Sequence, residues 1–169
     1  MIADKLVPLL HQSTAELFRT IGPLSAHTFN TIPVEGGWSA AQITEHILLM
    51  DIYIFRVMQK DLSFAGRAGE EKVETISILM ADPQFKQESP TFAMPSGSLT
   101  DPLVMQERIG RERQLICNYL TTVAEDSLCG SYAHPEFGTL TITEWAHYIV
   151  QHTHRHIRQI EDLQKEIKD

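Results

Sequence analysis

Cysteine is scarce in this chain. Cys117 and Cys129 are the only two among 169 residues. With no secretion signal, two cysteines read as reduced thiols of a cytoplasmic protein. There is no C-x-x-C pair, and the spacing leaves a disulfide between them open. A leader is not expected, because Asp4 sits where positive charge belongs and no apolar run of adequate length follows. No stretch approaches the length of apolar residues that a membrane-spanning helix needs. Positive charge is also in deficit: 14 Lys and Arg stand against 22 Asp and Glu, a net charge of −8. That balance excludes a phosphate-binding surface for nucleic acid and a general affinity for anionic membranes. Repeats and low-complexity tracts are missing. What remains is ordinary soluble composition, 43% hydrophobic and 21% charged, which rules out disorder, collagen and coiled-coil rods. The length fits a single domain over residues 1–169 with a core that needs no staples.

Four long segments carry helical periodicity. The first runs from about Lys5 to Ile21, with Leu6, Leu9, Leu10, Leu17, Phe18 and Ile21 on one broad apolar face and a Gly22-Pro23 stop. Pro8 suits only its first turn or a kink. The second opens on a capping box, Ser39 to Gln42, and its body from Ile43 to about Gln59 is apolar nearly all round, as in a central bundle helix. The third starts at Thr100 or Asp101, with Pro102 at its first position, and runs to about Val123. Cys117 falls in its apolar pattern as a small core residue. The fourth opens on a second capping box, Thr141 to Glu144, and continues to about Ile167. Residues 124–140 hold Gly130, Pro135 and Gly138 and read as a turn. Residues 60–99 form a long crossover with a short helix over 71–81. No segment shows sustained strand alternation. The expectation is an all-α four-helix bundle.

The eight histidines are the chemical signal. In the fourth helix, Trp145, Ile149, His152, His156, Ile160, Leu163 and Ile167 step by 4, 3, 4, 4, 3 and 4, one continuous helical face. His152 and His156 stand where Leu or Ile is expected, one turn apart, and both imidazoles can reach one ion. In the second helix, Ile43, His46, Met50, Tyr53 and Val57 step by 3, 4, 3 and 4, so His46 also lies in an inward row. Three imidazoles from two helices suit Zn, Ni, Fe or Mn as a divalent ion with open positions. The competing reading is a neutral histidine pair hydrogen-bonded in the core. His154 is expected at the surface and His134 in a loop. His11, His27 and His147 receive no role.

The residues also carry a resemblance. Trp38-Ser39 with Ile43 and His46, then His134-Pro135, Gly138, Leu140-Thr141 and His152-x-x-x-His156-x-x-Gln159-Ile160, together resemble the DinB-like superfamily. The resemblance spans almost the whole chain. It implies an up-down-down-up bundle whose long crossover joins helices two and three, and a metal triad of His46, His152 and His156. It also implies a metal-dependent enzyme, either a small-molecule hydrolase or a bacillithiol- or mycothiol-like S-transferase with a low-molecular-weight thiol as co-substrate. Some members are dimers, so a homodimer is a further expectation.

A three-histidine ion can make a nucleophile of water or bind an external thiol as thiolate, and the residues leave both open. No catalytic acid or base is assigned: Glu45 and Asp51 lie off the His46 row and read as surface residues or supports of a ligand. Trp38 and Trp145 are expected to pack the bundle end. Phe92, Met94 and Pro95 either cover the metal mouth or simply pack. The cluster Glu70-Glu71-Lys72 and the tail from Gln159 to Asp169 read as solvated helix faces. A non-catalytic bundle with a structural or vestigial triad is the alternative function, and it predicts a closed coordination sphere or no metal.

Overall fold

The computed structural model describes residues 2–168. Four long helices form the body: α1 (Ile2–Ile21), α3 (Ala40–Met58), α5 (Pro102–Leu120) and α6 (Ile142–Lys168). A short α2 (Ala26–Asn30) lies in the first loop and α4 (Val73–Ala81) in the crossover. Helices α1 and α3 each pack against both α5 and α6, so the four enclose one interior. None of the described helices is long and apolar enough to cross a membrane.

The expected caps are in place. Ser39 Oγ accepts from Gln42 N at 3.2 Å while Ser39 N donates to Gln42 Oε1 at 3.0 Å. Thr141 Oγ1 accepts from Glu144 N at 3.2 Å while Thr141 N donates to Glu144 Oε2 at 2.9 Å. Asp101 caps α5 through Leu103 N. These contacts satisfy amide groups that no helical turn can reach. Pro8 is accommodated inside α1, which begins at Ile2 rather than near Lys5.

The all-α expectation is corrected by a three-stranded antiparallel sheet, β1 (Leu62–Phe64), β2 (Ser127–His134) and β3 (Gly138–Thr141), in the order β1-β2-β3. Leu62 pairs with Cys129 and His134 with Gly138. Residues 124–140 are thus mostly a hairpin rather than a plain turn. Its signal was hidden for two reasons. β1 has three residues, all exposed, so no alternation is available. β2 and β3 shift register between Leu128 and Ala133, which breaks the period of two. Gly138 takes φ 68°, the left-handed conformation that closes the turn before β3. Cys117 and Cys129 are buried and free, so the disulfide left open by sequence is not formed.

Two apolar clusters fill the bundle, one around Leu10, Ile54, Ile116 and Ile149, the other around Leu17, Ile47, Ile109 and Ile160. Along every long helix a polar residue separates them. Arg113 on α5 donates to Asp51 on α3 at 2.6 and 3.4 Å, to Ser13 and Thr14 on α1, and to Thr153 on α6 at 2.7 Å. Arg113 is 2% exposed and Asp51 1%, so of the two readings of Asp51, surface residue or support of a ligand, the surface one is corrected. Removing one partner of such a pair strands the other charge out of water. We therefore expect Arg113→Met to lose about 3–5 kcal/mol of stability in urea unfolding. Adding Asp51→Leu to that variant should recover much of the loss.

Candidate metal centre

His46 projects from α3, and His152 and His156 from α6. Their Nε2 atoms meet: His46 to His152 is 3.2 Å and His152 to His156 is 3.0 Å. All three nitrogens lie within 4.8 Å of one another. The three residues read from helical stepping are therefore brought together. His46 and His152 are buried, and His156 is partly exposed.

The outer nitrogens of two rings are already committed. His46 Nδ1 donates to the Ala93 carbonyl at 2.8 Å, and His156 Nδ1 lies 2.8 Å from Gln159 Oε1. Each of these rings, when neutral, thus turns a bare Nε2 lone pair toward His152. Burial lowers the pKa of all three imidazoles, because a low-polarity interior disfavours the charged ring. His156 is brought down to about 3 by burial and by the neighbouring His46. A proton on His152 Nε2 serves only one of its two neighbours. A shared cation satisfies all three. Tetrahedral Zn–N bonds near 2.0–2.1 Å space donor atoms about 3.3 Å apart, close to the separations seen. The donor set fits a divalent ion.

The carbonyl that orients His46 is itself held. Ala93 belongs to a 3-10 turn, Thr91–Ala93, on the crossover. The following loop is clamped by Glu45, whose carboxylate accepts from Ser96 N, Ser96 Oγ and Gly97 N at 3.1, 2.6 and 3.0 Å. Glu45 is thus a buried support for the loop rather than a surface residue. On the other flank, Arg155 donates to the carbonyls of Met80, Asp82 and Phe85, tying the end of α4 beside His156. Arg67 forms a bidentate pair with Glu144 and joins the crossover to the start of α6. Lys72 donates to Phe137 and Thr139 carbonyls, so its cluster is only partly a solvated face. The tail from Gln159, read as a solvated face, also buries Ile160 and Leu163, and Asp169 lies outside the described residues.

The histidines open into a cavity of about 320 Å³. Its walls include Met50, Tyr53, Phe92, Tyr132, Trp145 and Tyr148. Phe92 stacks on Tyr53 at 3.7 Å and so lines the cavity, while Met94 is exposed away from it. Trp38 lies against His46 with ring centroids 5.1 Å apart, and Trp145 is a wall residue rather than only an end plug. His156 also faces an open groove beside residues 33–38. His154 pairs with Glu16 at 2.9 Å, near the surface as expected.

His134 is the main residue that sequence reading missed. It is 4% exposed and lines the same cavity. Its position follows from the hairpin, and without the hairpin no periodicity points it inward. Tyr148 was missed too, although its place four residues before His152 was an available signal; it packs on that ring with centroids 5.6 Å apart.

Burial brings the His134 pKa from 6.5 to about 4. The unfolded chain, with ordinary histidines, binds more protons between those values, so stability falls as pH drops from 6.5 toward 4 and levels off below the folded pKa. The three clustered imidazoles act in the same direction. Urea midpoints of metal-free protein should fall over that window, and His134→Gln should flatten the slope.

Comparison with known proteins bears on the fold and the family. The solved structure of YfiT from Bacillus subtilis, described as a probable metal-dependent hydrolase with an unusual four-helix bundle topology, superposes with a TM-score of 0.63 at 14% identity. The match covers 98% of this chain and 87% of that one, and it supports a bundle fold here. The uncharacterized protein YuaE of Bacillus subtilis strain 168 is 20% identical over 161 residues, 95% of this chain and 98% of its own length. The family model of the DinB superfamily matches residues 9–160, so the chain belongs to the DinB superfamily.

Proposed function

We propose that His46, His152 and His156 hold a divalent cation and that the chain is a metal-dependent enzyme acting on a small molecule in the adjoining cavity. One observation carries this reading: three neutral imidazoles converge on one point, two of them tethered from behind, at the head of a cavity large enough for a small ligand. A structural site would be closed by a fourth protein ligand. Among the described residues the cluster has three members. When bound, such an ion supplies Lewis acidity, the chemistry that turns water or a thiol into a nucleophile at neutral pH. Here the Ala93 carbonyl and the Gln159 amide fix which nitrogen of each ring is offered. The aromatic walls exclude bulk water and favour a partly apolar substrate.

Hydrolysis is the first reading, in line with the description of YfiT. Transfer of a low-molecular-weight thiol is the second. One observation favours it: among the described residues Glu88 is the sole carboxylate on the cavity wall, and it is exposed. A thiol bound as thiolate needs no buried base, whereas attack by water usually uses one.

His152→Ala should lose stoichiometric Zn, Ni, Fe or Mn, measured by elemental analysis of untagged protein, while keeping its helical circular dichroism. Activity against an ester panel, with and without a small thiol and an electrophile, should vanish in the same variant. Unchanged metal content would overturn the site assignment. Glu45→Ala should weaken metal binding about 10-fold or more by releasing the loop behind His46, and Glu45→Gln should restore part of it. Competition with a chelator of known affinity reads both.

A further inference from the structure

The cavity contains a second polar array that the three histidines do not use. His134 Nδ1 accepts from the backbone N–H groups of Glu136 and Phe137, at 3.2 and 3.4 Å. A neutral imidazole carries one N–H, so Nε2 must be the donor. That atom lies 3.1 Å from one end of the Gln87 side-chain amide, while the other end lies 3.4 Å from the Tyr148 hydroxyl. The two ends of an amide are alike in shape, and the hydrogen-bond network decides which is which. A donating His134 requires the Gln87 oxygen. The Gln87 NH₂ group therefore points to Tyr148 and donates to it.

This order has a consequence for Tyr148. Its oxygen accepts from Gln87, so its own proton is directed elsewhere. Among the described residues that hydroxyl has no other partner. Three residues earlier on α6, the buried indole Nε1 of Trp145 has no hydrogen-bond partner among the described residues. The two rings meet edge to face at 5.6 Å, and both line the cavity. Trp145 and Tyr148 are each 1% exposed, and with Gln87 turned this way neither donor has an acceptor among the described residues. Unmade hydrogen bonds of buried groups are costly, and a native interior rarely keeps them without a purpose.

We propose that the cavity binds small ligands with a partly apolar body and a carbonyl-type acceptor oxygen, held by the O–H of Tyr148 and the N–H of Trp145. Gln87 and His134 are positioning residues that set the direction of the Tyr148 proton. The inference rests on the reading of this cavity as a small-molecule site, but it does not require the cation.

Acetophenone and α-methylstyrene test it, because they share a shape and differ in C=O against C=CH₂. Binding of each is measured by ligand-observed NMR, on metal-loaded protein and again after chelation. The ratio of ketone to alkene affinity should fall about fivefold in Tyr148→Phe, in both metal states, with alkene affinity unchanged. Gln87→Leu should lower the ratio in the same sense by a smaller factor, and it carries the test should Tyr148→Phe fail to fold. An unchanged ratio in the folded variant overturns the proposal. So does a fall seen only with metal present, which would assign the carbonyl to the ion. Metal content, measured separately, reports on the triad and leaves the two readings independently refutable.

Discussion

The buried ion pair between Asp51 and Arg113 is the constraint from which the rest of the architecture follows. It sits at the level where two apolar clusters meet, and its hydrogen bonds reach all four long helices. A purely apolar interface tolerates sliding, because one methyl group packs much like another. A guanidinium with fixed donor directions does not. The pair therefore sets the register of α3 against α6, and Thr153 brings that register to within one residue of His152. His46 lies five residues before Asp51 on α3. Convergence of histidines from two helices to about 3 Å depends on that alignment.

Around this centre the long crossover supplies what the helices lack. Helices deliver side chains in rows but leave few backbone groups free to orient them. The crossover offers the carbonyl of Ala93 to His46 and the amide of Gln87 to the far side of the cavity. It is held by polar anchors at separate points: Glu144 takes Arg67 and the amide of Lys72, Arg155 takes the end of α4, and Glu45 takes the loop at 96–97. A 40-residue connection built only for closure would not need them. Their distribution makes the crossover a fixed wall of the site.

Legibility in the sequence followed periodicity. Caps at Ser39, Asp101 and Thr141, the helix bodies and the inward rows of His46, His152 and His156 all repeat at the helical period and were readable. Ile47-Asp51-Ile54 and Ile109-Arg113-Ile116 obey the same stepping, so the ion pair was present in the pattern too. A charged residue in an apolar row carries the same information as a histidine there, and its partner lies in another such row. The sheet was opaque for the opposite reason: three exposed residues in β1 and an irregular register in β2 leave no period to detect. His134 shared that fate. Glu45 was hidden because the loop it clamps has no periodicity, and nothing local announces three donors arriving from fifty residues away.

The acceptor behind His46 is a main-chain oxygen, and this sets where the centre is vulnerable. Replacement of the side chain at position 93 leaves the oxygen in the chain, so the tether is insensitive to the chemistry of that residue within the limits of space. Sensitivity is transferred to whatever fixes the path of the backbone. That is Glu45, one position before the imidazole it helps to aim, and Gly97, whose φ of 76° favours glycine. Drift in this protein would therefore spare the atom that touches the imidazole and strike the residues that only aim it.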